Sequence, residues 1–210
     1  FIEEQNKYIS SKQIKIKPHC AIIGAGGFSK EILIPNLLKM KDKCQLSYLC
    51  VKRPVSALNL STKYKGIKVL TNYKEILDNK EIDTVFVSTR HNLHYQIAKE
   101  CLIKKKNVFV EKPTCTTSKE LKSLKNLFHK KNQPILVTGF NRRFSKCAEI
   151  MSNFIKNSNS EVILDYQVNA DQISQSSWVY SEEGGGRNIG EACHFYDLIL
   201  FLISSNIQNV

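Results

Sequence analysis

The sequence has 210 residues, enough for one domain or for one domain plus part of another. Hydrophobic residues make up 42%, so a core can form, and no apolar run approaches the roughly 18 residues that a membrane span needs. Lys and Arg outnumber Asp and Glu by 31 to 19, a net charge of +12, but the lysines are dispersed, without the basic–aromatic interleaving or zinc-finger spacing of a nucleic-acid reader, and short runs such as Lys104-Lys105-Lys106 read as solvated helix faces.

Phe1–Lys17 is polar and charged and lacks the apolar core of a signal peptide. It reads as a lead-in or linker, and a start without Met suggests a fragment of a longer protein. Seven scattered cysteines form no C-x-x-C pair, so no metal site is indicated. Reduced core thiols and a cytoplasmic setting fit that pattern.

Cys20–Ile23 is a short apolar run that enters Gly24-Ala25-Gly26-Gly27-Phe28-Ser29 and then a helical pattern at Ile32, Leu33, Leu37 and Leu38. This nearly meets G-x-G-x-x-G/A, with Ser29 in the third small position. The first glycine permits a tight turn, and the second lets a pyrophosphate approach the backbone at a helix N-terminus. The alternative is a tight turn with no ligand. A second strand is expected at Leu46–Val51. Where an NAD-binding fold often places Asp or Glu, Val51-Lys52-Arg53 stands. Two cations could hold a 2′-phosphate or be ordinary surface residues, so NAD and NADP both stay open.

Further strands are expected at Ile67–Leu70, Asp83–Ser88, Asn107–Val110 and Pro134–Thr138. Helices are expected at Tyr73–Leu77, from Leu93 to Leu102, and from Ser118 to Lys130. Such alternation predicts an α/β fold: a Rossmann-type, doubly wound parallel sheet with helices on both faces. Val108–Pro113 is its focus. An apolar strand ends in Glu111-Lys112-Pro113, and ligands bind outside the carboxyl ends of such strands. Lys112 is therefore placed for chemistry.

After Gly139 the style changes. A helix is expected over Ser145–Lys156, then a strand over Glu161–Ala170, with Trp178 after a polar loop. The expected division is a lead-in at 1–17, a dinucleotide-binding domain at 18–139, and the truncated start of a second α/β domain with an open sheet at 140–210. Gly184-Gly185-Gly186 lets the backbone turn sharply or approach a ligand. From Ile189 a helical pattern puts Glu191, His194 and Asp197 three apart, on one face. A carboxylate on either side would orient His194 and raise its basicity, as a general base requires. The alternative is a core histidine satisfied by hydrogen bonds.

The segments GAGGFS, STRHNLHYQIAKECLIKKKNVFVEKP, GFNRRFS and GGGRNIGEACHFYDL, in that order, resemble the Gfo/Idh/MocA family of glucose–fructose oxidoreductase and inositol dehydrogenase. The likeness covers roughly residues 18–203 and is similar to a subgroup in which the module follows a zinc-type dehydrogenase. It implies hydride transfer between NAD or NADP and a hydroxyl of a sugar or polyol, in a homo-oligomer when full length. By position, Gly24, Gly26, Gly27 and Phe28 would hold the pyrophosphate. Ser88, Thr89 and His94 would line the cofactor, and Glu111 would lie near the nicotinamide ribose. Lys112 would bind the reacting hydroxyl and touch the cofactor, and His194 would be the acid/base, with Glu191 as the nearest carboxylate. Asn141, Arg143, Trp178 and Asp197 are the candidate substrate residues. One departure is Gly190, where members commonly carry Asp; Glu191 points about 100° away around an ideal helix. That departure permits a second expectation, a non-catalytic nucleotide-binding or scaffold module.

Overall fold

The first strand, β1 (His19–Ile23), is apolar on both faces, and this sets the architecture. Successive strand residues point to opposite sides. Ala21 and Ile23 enter one hydrophobic cluster, and Cys20 and Ile22 enter another. A strand buried on both sides needs cover on both sides. The computed structural model, which describes residues 17–128, 133–158 and 161–204, supplies it with helices on each face of a six-stranded sheet. The predicted lead-in lies almost wholly outside the described residues.

The other strands are β2 (Gln45–Cys50), β3 (Lys68–Leu70), β4 (Thr84–Val87), β5 (Asn107–Val110) and β6 (Leu136–Thr138). All pairings are parallel, in the order β3-β2-β1-β4-β5-β6. This is the Rossmann-type fold that the alternation predicts. The order reverses between β1 and β4, so a crevice opens outside their carboxyl ends.

One face is covered by α1 (Ile34–Lys39) and α2 (Pro54–Lys63), through Ile34, Leu37 and Leu60. The other is covered by α3 (Lys74–Asp78), α4 (His91–Ile103) and α5 (Ser118–Phe128). The sequence reading passes over α2, although Pro54 at its first position is a start signal. It also treats Lys104-Lys105-Lys106 as solvated. Lys106 is in fact buried, its ammonium donating to the carbonyls of Asn79 at 2.7 Å and Ile82 at 2.6 Å. Burial pushes its pKa down.

Past the sheet, a 3-10 turn at Asn141–Phe144 leads to α6 (Lys146–Lys156), whose first turn is capped by Ser145 Oγ. The last helix, α7 (Cys193–Ile203), follows a π-helical turn at Asn188–Ala192. Ala148 of α6 packs with Leu198 and Leu202 of α7 in a small third cluster. The strand expected over Glu161–Ala170 does not form. A strand needs a hydrogen-bonded neighbour, and no partner for it is present among the described residues. Leu164 and Tyr166 instead lean on the α6–α7 cluster, with Tyr166 stacked on Phe195.

Candidate active site

Three chain segments converge at the carboxyl end of the sheet. The first is the glycine turn after β1. Gly24 has φ +96°, and a Cβ there would overlap the Ser88 carbonyl, so the turn presses against the end of β4. Its N–H donates to Cys50 O at 2.9 Å, and buried Ser29 Oγ donates to Gly24 O at 2.7 Å. The sequence reading treats Ser29 only as a small residue; its hydroxyl is what closes the turn. Gly26 is different. It is exposed, and nothing lies within 4 Å of where its Cβ would stand. No packing among the described residues requires a glycine there, but a ligand seated on the backbone would. Gly27 and Phe28 begin the helix that follows the turn. The residues present therefore fit a pyrophosphate.

The second segment is the end of β5. Glu111 N–H donates to Val87 O, which aligns this loop with the end of β4. The Glu111 carboxyl is half-buried, and burial pushes its pKa up to about 7. Gly139 makes room for it: a Cβ there would stand 2.7 Å from Glu111 Oε1. Lys112 donates through Nζ to Gly190 O at 2.7 Å, and the Lys112–Pro113 peptide is cis.

Behind this loop stands His94, fully buried. Its Nδ1 lies 2.8 Å from Pro113 O and its Nε2 3.2 Å from Thr89 O. The expectation that His94 lines the cofactor is corrected here: both ring nitrogens face backbone carbonyls, so the ring ties the Ser88–Thr89 loop to the Lys112–Pro113 loop. Ser88 and Thr89 remain partly exposed at the crevice.

The third segment runs from Trp178 to Asp197. Trp178 is held between two residues of the α4 start. The Arg90 guanidinium lies 4.0 Å from its ring, and His91 meets it edge-on at 4.9 Å. His91 Nδ1 donates to Gly184 O at 2.8 Å. These contacts explain Gly190. A Cβ there would lie 2.8 Å from His91 Cε1, so His91 fills the space that a side chain at 190 would need. Sequence reasoning missed His91, and only its spacing three before His94 could have drawn attention to it.

His194 lies on α7 with Phe140 edge-on at 6.0 Å. Its flanking carboxylates do not serve it. Glu191 accepts from Arg187 Nε at 2.8 Å, and Asp197 accepts from Arg143 Nε at 2.6 Å, with a second bond from Arg143 Nη2. The expected rise in basicity is thus corrected. Burial, and then the nearby Lys112 charge, push His194 down to about 4, so its ring is neutral at pH 7. Its Nδ1 is buried and has no hydrogen-bond partner among the described residues. The ring thus stands neutral, within the influence of the Lys112 ammonium.

Of the candidate substrate residues, Asn141 is exposed, Arg143 and Asp197 are committed to each other, and Trp178 braces the α4 start. An open cavity of about 600 Å³ runs along the other side of the same loop, lined by Pro113, Cys115, Leu121, Phe140 and Cys193. Neither Lys112 nor His194 lines it. No cluster of potential metal ligands occurs among the described residues.

The profile of the Gfo/Idh/MocA group, described as an oxidoreductase family with an NAD-binding Rossmann fold, matches residues 18–139. The chain belongs to this family. The matched stretch is the part of the chain that the family model describes as an NAD-binding Rossmann fold. The oxidoreductase YhhX of Escherichia coli is 31% identical over 130 residues, which are 61% of this chain and 37% of that protein. The scyllo-inositol 2-dehydrogenase (NADP(+)) of Bacillus subtilis is 27% identical over 182 residues, 87% of this chain and 49% of that one. Among solved structures, a levoglucosan dehydrogenase in complex with NADH and levoglucosan superposes with a TM-score of 0.76 at 21% identity. That match covers 89% of this chain and 54% of the other. The chain thus spans about half the length, or less, of the relatives it matches.

Proposed function

We propose that this family member transfers hydride between a nicotinamide cofactor and a carbon bearing a hydroxyl or keto group, on a sugar or polyol. The observation that carries the reading is the Lys112 bond to Gly190 O, which brings the end of β5, at the carboxyl side of the sheet, to the turn that leads into His194. The inositol and levoglucosan dehydrogenases among its relatives support the substrate class.

Bound at the glycine turn, the nicotinamide would supply the hydride chemistry itself. Gly24, Gly26 and Gly27 seat the pyrophosphate, with Ser88 and Thr89 at the crevice wall and Glu111 toward the ribose. Lys112 donates a hydrogen bond to the substrate oxygen and stabilises negative charge as it develops there. His194 takes the hydroxyl proton in oxidation and returns it in reduction. Glu191 acts through Arg187 to hold the turn that carries Gly190. Seven free cysteines suit a cytoplasmic setting. Exposed Phe144, Phe154 and Ile163 support a homo-oligomer in the full protein.

The test is turnover of a panel of inositols and pyranoses with NAD and NADP. Lys112→Met should lower kcat by about 10²–10³, the usual loss for one donor to a developing oxyanion. Cofactor affinity in that variant should stay near that of the unsubstituted protein. Near-normal turnover, or a loss of cofactor binding that matches the loss of turnover, would remove Lys112 from the chemistry.

A further inference from the structure

The end of β2 bears on which dinucleotide the chain takes. In this fold the adenosine ribose lies beside that strand end, where an acidic residue holds the 2′-hydroxyl of NAD and a cation accommodates the 2′-phosphate of NADP. Here the Gly24 N–H bond to Cys50 O ties the β2 end directly to the glycine turn. Val51 follows. It is buried and neutral, and its N–H donates to Leu70 O at 3.0 Å. It offers a ribose hydroxyl no carboxylate, and it offers a phosphate no repulsion.

Lys52 and Arg53 come next, and both are exposed. The Arg53 carbonyl caps α2 by accepting from Ala57 N–H at 3.0 Å, but neither side chain makes a hydrogen bond, an ion pair or a ring contact among the described residues. Other cations of the chain are committed: Lys74 to Glu100, Lys104 to Asp78, Arg143 to Asp197 and Arg187 to Glu191. The first turn of α2, which starts at Pro54, contains no acid that could neutralise the pair. Exposed cations elsewhere on a basic protein would signify nothing. These two stand at the one strand end where the fold distinguishes the dinucleotides.

We infer that the chain selects NADP(H) over NAD(H), with Lys52 and Arg53 holding the 2′-phosphate. Arginine can meet two phosphate oxygens at once, and lysine adds a second charge. The inference rests on the reading above that the glycine turn seats a nicotinamide dinucleotide.

Nicotinamide fluorescence on the intact protein, titrated separately with NADPH and NADH, tests it. NADPH should bind roughly tenfold tighter or better, equivalent to about 1.4 kcal/mol. The preference should shrink as salt is raised, because the contacts are exposed. The double variant Lys52→Ala, Arg53→Ala should lose that preference while NADH affinity stays within about threefold. As a probe without nicotinamide, 2′,5′-ADP should displace NADPH better than 5′-ADP does. Equal affinity for the two cofactors, a preference for NADH, or a double variant that weakens both alike would overturn the inference alone. Binding of neither cofactor by folded protein would overturn it together with the functional reading.

Discussion

His194 is governed by what it lacks. Its neighbours Glu191 and Asp197 are taken by arginines, and its Nδ1 is buried without a partner among the described residues. Its pKa falls from 6.5 to about 4, so the folded chain favours the neutral ring. That contribution to stability is complete above pH 6.5 and is lost as pH falls through 4. Urea titrations at pH 7 and pH 4.5 should therefore show a larger loss on acidification for the unsubstituted protein than for His194→Gln; equal losses would contradict the assignment. Gly190 makes a second case. Gly190→Ala should cost about 1–3 kcal/mol through overlap with His91, and His91→Ala should relieve part of that cost. Additive losses in the double variant would mean that the two sites do not compete for space. The Arg187–Glu191 pair has an i,i+4 spacing, but a helix read from Ile189 leaves Arg187 outside it, so the sequence assigns Glu191 to His194 instead. The Arg143–Asp197 pair was not legible either, because its members are 54 positions apart and only the α6–α7 packing unites them.

At the scale of elements, the strands were plain because each is apolar on both faces, and runs such as Val108–Val110 have few other readings. Strand order was visible only as a class, since alternation predicts a parallel sheet without saying which strands are neighbours. Two misreadings share one cause. The alternation in Glu161–Ala170 looked like a strand, and the Lys104–Lys106 run looked like a solvated face. Both readings assumed that local pattern decides, but a ladder partner and two orphan carbonyls decide instead. Lys106 satisfies the Asn79 and Ile82 carbonyls at the entry to β4. Lys106→Met keeps the stem and removes the donor. It should destabilise the chain by about 1–3 kcal/mol in chemical denaturation. A variant as stable as the parent would show that water replaces the ammonium there.

Across the whole molecule, the described residues form two bodies of unequal depth. The sheet carries two large clusters, whereas α6 and α7 share a small one. Amides of α6 should therefore exchange with solvent well before those of β1, β4 and β5, which hydrogen exchange followed by mass spectrometry would show. Equal protection would mean that the α6–α7 pair opens only with the sheet. The two bodies meet where Trp178, Gly184 and Gly190 reach the start of α4 and the end of β5. One bond across that seam bears on selectivity. The acceptor that now occupies the Lys112 ammonium is an amide oxygen, Gly190 O. Under the proposed chemistry, a substrate engages Lys112 only by displacing or sharing that carbonyl. A resting alcohol is a weaker acceptor than an amide, so the exchange gains little when substrate first arrives. An oxygen gathering negative charge is a stronger one, so the exchange becomes favourable only as the reaction proceeds. Lys112 thus meets a built-in competitor that discounts ground-state binding and leaves the advantage to the transition state.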